Sequence, residues 1–107
     1  MLIDDVEYTY LLLEENFETL YQRCLTSEQK RRLSDMRSAA RYACWKVAKQ
    51  VRPDERAVDS SVCHDLKMTN RQLATVLQNL GDIGPFLILA AEAVRLAAAL
   101  VPAPADV

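Results

Sequence analysis

Glycine is almost absent from this chain of 107 residues: only Gly81 and Gly84 occur, three positions apart. β-Hairpins and bulges depend on glycine for backbone conformations that other residues avoid, so a chain with so little of it is a poor candidate for an antiparallel sheet. Half of the residues are apolar and 26% are charged, which is the balance of a folded globular protein. We therefore predict an all-α fold.

Helix-start patterns predict a small bundle of four main helices. Three pairs have the spacing of a capping box, in which an N-cap residue and a residue three positions later satisfy each other's N–H groups: Asp4 with Glu7, Thr26 with Gln29, and Thr69 with Gln72. Pro85 suits the first position of a fourth helix. The predicted spans are 5–25, 27–51, 70–80 and 85–101, with Gly81 ending the third helix in the left-handed conformation. Residues 53–68 are expected to be irregular apart from a short turn near 60–67. Residues 1–101 then form a single domain, followed by a flexible tail over 102–107.

The first two predicted helices carry matching apolar seams with spacings of three and four. The first seam consists of Val6, Tyr10, Leu13, Phe17, Leu20 and Cys24, and the second of Leu33, Met36, Ala40, Ala43 and Val47. The short connection at Thr26 and Ser27 joins these helices, so they are expected to pack as a long antiparallel hairpin that frames the bundle.

Apolar surface is predicted to exceed what one chain can bury. The fourth predicted helix has only Glu92 and Arg95 as charges, and the first carries Tyr8, Leu11 and Leu12 away from its seam. Because exposed apolar patches mark interfaces, we expect a homodimer or a stable protein partner. The alternative is that the third and fourth helices wrap both sides of the hairpin.

Charge and cysteine content narrow the class of protein. Residues 1–25 hold six acids against one arginine, whereas residues 27–56 hold nine bases against four acids. This asymmetry predicts either pairing of the two helices or a docking site for an anion.

Three widely spaced cysteines predict reduced thiols in a cytoplasmic protein. An acidic N-terminus argues against a signal peptide, and the charges within residues 85–101 argue against a membrane span.

The lone tryptophan, Trp45, is predicted to point outward, roughly 160° from the seam of its helix. Arg37, Arg41 and Lys49 surround it as a basic stripe. Three interpretations stay open. In the first, Trp45 packs against another helix or subunit, and basic side-chain stems cover its edges. In the second, the basic stripe binds an acidic protein partner. In the third, the stripe binds nucleic acid by phosphate neutralisation and base stacking.

Catalytic and metal-binding patterns are weak. Cys63, His64 and Asp65 are adjacent, and three adjacent side chains rarely converge on one ion or form a nucleophile pair. Glu14 and Glu18 lack the Glu-x-x-His pairs of a di-iron site, and no glycine-rich phosphate loop occurs. We expect no enzyme, no cofactor and no metal.

The sequence therefore predicts a non-enzymatic protein–protein interaction module, such as a small regulator, inhibitor, adaptor or chaperone-like protein, which self-associates through apolar helix surfaces. The predicted partner-binding residues are Arg37, Arg41, Trp45, Lys49, Tyr8, Leu11 and Leu12. The alternative is a nucleic-acid-binding regulator that uses the basic face of the second helix.

Overall fold

A computed structural model describes residues 2–48 and 60–101. These residues form five α-helices and no strand: α1 (Leu2–Glu15), α2 (Phe17–Arg23), α3 (Ser27–Ala48), α4 (Ser60–Gln78) and α5 (Ile83–Ala99). The predicted all-α bundle is confirmed. Lys49, the predicted end of the second helix at Val51 and the tail over 102–107 lie outside the described residues.

The helices surround one apolar core to which all five contribute buried side chains. α1 packs against α3 and α4, and α5 also packs against α3 and α4, so α3 and α4 occupy opposite corners of the bundle. Alanines at buried positions of α3 and α5 let these two helices approach closely: Ala40, Ala43, Ala90, Ala93 and Ala97. The largest fully buried side chain is Phe86 of α5.

Contacts between side chains show that α1 and α2 run antiparallel to α3. The Arg37 Nε atom lies 3.9 Å from Glu14 Oε1, and its guanidinium carbon lies 3.8 Å from the centroid of the Phe17 ring. Further along α2, the Lys30 Nζ atom lies 5.3 Å from the centroid of the Tyr21 ring. Contacts therefore move back along α3 as the chain advances through α1 and α2.

The first predicted helix is not continuous, which corrects the sequence interpretation. It starts at Leu2, so Asp4 lies in the first turn of α1 rather than at the N-cap, and it is interrupted at Asn16. The side-chain amide of Asn16 donates to the carbonyl oxygen of Leu12 at 2.8 Å. In an uninterrupted helix, that carbonyl would accept from the backbone N–H of Asn16. Asn16 adopts φ −109° and ψ 9° and starts α2 as its N-cap.

α3 follows its sequence pattern closely. All five residues of its predicted seam are buried. The predicted capping box forms in part at its start: the backbone N–H of Gln29 donates to Thr26 Oγ1 at 3.1 Å, but the side chain of Gln29 accepts from the backbone N–H of Leu25, one residue before the N-cap, at 2.7 Å. The local signal sufficed here because both partners of each bond lie within one helical turn.

α4 begins ten residues before its predicted start, so Thr69 is an interior residue and not an N-cap. The adjacent Asn70 is buried, as is Thr9 of α1. Thr9 Oγ1 donates to Asn70 Oδ1 at 2.8 Å, and Asn70 Nδ2 donates to the carbonyl oxygen of Asp5 at 3.0 Å. Asn70, which the sequence pattern placed at the start of a helix, therefore joins two helices inside the bundle.

The α4–α5 connection also differs from its prediction. Neither glycine has a positive φ, so Gly81 does not form a left-handed helix end. Instead, the Arg23 guanidinium donates to the carbonyl oxygens of Leu80 and Gly81 at 3.1 Å each. α5 is capped by Asp82, whose carboxylate accepts from the Gly84 N–H at 3.1 Å, and Pro85 is the third residue of the helix rather than the first.

The neighbouring helices cover α5 more completely than predicted. Eight of its residues are buried. Its exposed residues are Pro85, Ile88, Arg95, Ala98 and Ala99, and Arg95 Nε donates to Oε1 of the half-buried Glu92 at 3.0 Å. Ile88, at 68% exposure, is the large apolar exception. Within the described residues, α5 therefore offers Ile88 and little other large apolar surface, because the neighbouring helices bury or half-bury its other large side chains; the expectation of self-association stays a prediction.

Candidate protein-interaction surface

The outer face of α3 carries two exposed aromatic rings. Tyr42 is 59% exposed and Trp45 is 53% exposed, in agreement with the predicted outward direction of Trp45. Their ring centroids lie 6.2 Å apart with a tilt of 35°. Together with Ser38 and Arg41 they line a shallow depression of about 360 Å³. We call these four residues the aromatic–basic face.

Two cations accompany the rings. The Lys46 Nζ atom lies 5.9 Å from the centroid of the Tyr42 ring, within cation–π distance. Arg41 is exposed, and it forms no ion pair within residues 2–48 and 60–101. Positive charge on this face is therefore available to an anionic group that approaches from solvent.

Arg37, which the sequence placed in the same stripe, makes its contacts with other helices of the same chain. It stacks on Phe17 and lies beside Glu14, as described above, and so it ties α3 to α1 and α2. This contact explains part of the charge asymmetry along the chain, because an acid of α1 pairs with a base of α3. Lys49 lies outside the described residues.

The predicted apolar residues of α1 do not form one patch. Tyr8 is 44% exposed, Leu11 is half-buried and Leu12 packs against the core. Leu11 shares a stripe with exposed Glu7 and Glu14, at helical spacings of four and three. We call these three residues, Glu7, Leu11 and Glu14, the α1 ridge.

A second shallow groove lies between α4 and α5. It has a volume of about 380 Å³ and is lined by Met68, Arg71, Gln72, Thr75, Val76 and Leu89. The sequence interpretation missed this groove because the part of α4 that holds Met68 was expected to be irregular. The apolar spacing of Val62, Leu66 and Leu73 was the available signal for a longer α4.

Groups with potential chemistry are dispersed. Cys63, His64 and Asp65 occupy consecutive positions of α4, where successive side chains diverge by about 100°. Within the described ranges, no group of three His, Cys, Asp or Glu residues is arranged to hold a metal ion. Burial raises the pKa of the Cys24 and Cys44 thiols, and the nearby Glu7 carboxylate adds to the increase at Cys44.

Comparisons with known proteins supply no family for this chain. No protein-family model, curated protein or solved structure matches it. None of the helices in residues 2–48 and 60–101 combines the length and hydropathy required to cross a bilayer. What the protein does must therefore be inferred from the chemistry of its surface.

Proposed function

We propose that this protein is a non-enzymatic protein–protein interaction module whose aromatic–basic face binds an acidic segment of a partner protein. The observation that carries the proposal is the pair of half-exposed rings, Tyr42 and Trp45, on one regular helix. Tryptophan, tyrosine and arginine are the residue types most enriched among binding hot spots. Such a module acts as a small regulator, inhibitor, adaptor or chaperone-like protein.

The two rings supply useful but incomplete binding energy. An aromatic side chain buries 150–250 Å² when fully covered, so covering the exposed halves of both rings removes roughly 200 Å² from water. At about 25 cal/mol per Å² this contributes about 5 kcal/mol. Loss of translational and rotational freedom costs about 4–15 kcal/mol on association. The partner must therefore bring complementary charge or additional contact area.

Charge on the face favours an acidic protein over a nucleic acid. Arg41 and Lys46 provide cations beside the rings. The neighbouring α1 ridge carries the carboxylates of Glu7 and Glu14, and the whole chain has a net charge of −2. A polyphosphate that runs along the surface would meet these negative charges, whereas a short acidic segment would not.

The thiols support a cytoplasmic location. Cys24 is buried, Cys44 and Cys63 are half-buried, and none of the three forms a disulfide. Disulfides are rare in the reducing cytoplasm. Reduced, partly covered thiols suit that compartment.

A photo-crosslinking residue placed at Ser38 tests the proposal in the cells that make the protein. The matched control carries the same residue at exposed Gln78, on the opposite corner of the bundle. We expect a discrete protein adduct from Ser38 and not from Gln78. The captured protein, once identified and purified, should bind with a dissociation constant that rises about tenfold or more in Trp45→Ala, as for a hot-spot residue.

Three results would overturn the proposal. They are the absence of an adduct from Ser38, an adduct with nucleic acid alone, and a captured protein whose affinity is unchanged by Trp45→Ala. In the second case, binding to a single-stranded oligonucleotide should also weaken steeply as salt is raised.

A further inference from the structure

The α1 ridge and the aromatic–basic face lie side by side on the bundle. Arg37, Arg41 and Trp45 follow one another at intervals of four residues, which turns each side chain about 40° further around α3. Arg37 contacts α1 and α2 directly, so Arg41 and Trp45 turn from that contact towards solvent on the same side. The exposed carboxylates of Glu7 and Glu14 border this surface from α1.

We infer that the acidic partner of the aromatic–basic face is the α1 ridge of a second copy of this chain. This inference rests on the proposed function and names its occupant. Because α1 and α3 are antiparallel neighbours, a two-fold axis parallel to them places α1 of each copy against α3 of the other. One operation then forms two identical contacts, each with an acidic stripe opposite a basic one.

The positions of residues along the common direction of α1 and α3 determine which residues face each other in the dimer. Glu14 lies level with Arg37, and Glu7 is close enough to Cys44 to raise the pKa of its thiol. Arg41 lies between those two levels, as does Leu11 on α1. Rotation about an axis parallel to the helices preserves height, so Glu7 and Leu11 of one copy face the Arg41 and Trp45 region of the other.

The area of this surface suits a dimer. α3 has 22 residues, about 33 Å at the usual rise per residue, and two adjacent helices are about 20 Å wide. The outer surface of these two adjacent helices therefore offers about 650 Å² per copy, close to the roughly 800 Å² per partner of a standard interface. Leu11 and Trp45 provide its apolar centre, and the opposite charges surround them.

Charge reversal tests the dimer. Sedimentation velocity from micromolar to millimolar protein should show the wild-type chain passing from monomer to dimer. Arg41→Glu and Glu7→Arg each place two like-charge contacts in their own homodimer, so each should raise the dissociation constant at least tenfold. Arg71→Glu makes the same charge change at an exposed site of α4 and should leave association unchanged. Circular dichroism checks that all variants remain folded.

An equimolar mixture of the Arg41→Glu and Glu7→Arg proteins provides the decisive measurement. In their heterodimer, one contact joins the two reversed charges and the other keeps the native pair, so dimerisation should return to near the wild-type level. A mixture that remains monomeric, or a wild-type chain that is monomeric throughout, would overturn the inference. If the wild-type chain is monomeric but Ser38 captures a different protein, the proposed function stands and only the second copy is excluded. If Ser38 captures nothing, both fail.

Discussion

The buried hydrogen bonds between Thr9 and Asn70 allow a direct test of how α1 and α4 are joined. Thr9→Val keeps the shape of the side chain but removes the hydroxyl that donates to Asn70 Oδ1 at 2.8 Å. Asn70→Leu removes that acceptor and also the amide that donates to the Asp5 carbonyl at 3.0 Å. The double variant removes both partners and leaves apolar groups of similar size.

The expected energies follow from the burial of both residues. A typical hydrogen bond contributes about 0.5–1.5 kcal/mol net, whereas a buried group left without its partner costs about 1–3 kcal/mol. Thr9→Val should therefore lower the free energy of unfolding by about 2 kcal/mol, because it leaves Asn70 Oδ1 without its donor. Asn70→Leu should cost about 1–2 kcal/mol, because the Thr9 hydroxyl can turn to the Asp5 carbonyl, 3.2 Å away. The double variant should cost little more than Asn70→Leu alone.

Urea unfolding followed by circular dichroism measures the resulting double-mutant cycle. We expect a coupling energy of about 1–2 kcal/mol with an unchanged dependence on denaturant. Thr75→Val provides a control, since the Thr75 hydroxyl is exposed and bonds only within α4, and it should change stability by less than about 0.5 kcal/mol. Single-variant effects that add to within about 0.5 kcal/mol would refute the contact between the two side chains.

Three further predictions concern the core, the α4 terminus and the thiols. Leu13→Ala should cost about 3 kcal/mol in urea unfolding because the residue is fully buried, whereas Leu25→Ala, at 81% exposure, should cost less than about 0.5 kcal/mol; equal costs would contradict the assigned core. Arg23→Ala should cost about 1 kcal/mol or less and speed amide hydrogen exchange next to the α4–α5 connection, whose Leu80 and Gly81 carbonyls it binds; unchanged exchange would count against that bond. Burial raises the pKa values of the Cys24 and Cys44 thiols above the ordinary value of a cysteine, so the thiols ionise first in the unfolded state and stability should fall as the pH rises past that ordinary value. A thiol reagent at mildly alkaline pH should therefore react more slowly with the folded protein than with the urea-unfolded protein, and equal rates would contradict the shielding.

Local patterns predicted much of the fold. The seam of α3 could be read directly, and its N-cap Thr26 accepts from the Gln29 N–H as expected. The outward direction of Trp45 followed from the same helical spacing. These predictions succeed because neighbours three or four residues apart determine a helix face and its first turn.

The candidate site was only partly predictable. Arg41 and Trp45 lie together as the stripe indicated, and Tyr42 joins them, but Arg37 is diverted to Phe17 and Glu14. No spacing within α3 could reveal this diversion, because both partners lie on other helices. The role of Lys49 stays a prediction.

Sequence alone determined the helical class, the seams and the face on which the tryptophan lies. Tertiary structure decided where α4 begins and how fully α5 is covered. Asn70 illustrates the difference. The sequence pattern places it at the start of a helix, whereas in the structure its side chain is buried and bonded to Thr9, 61 residues away. Helix periodicity is a property of near neighbours, whereas the burial of a polar group is stable only when a distant segment satisfies its hydrogen bonds.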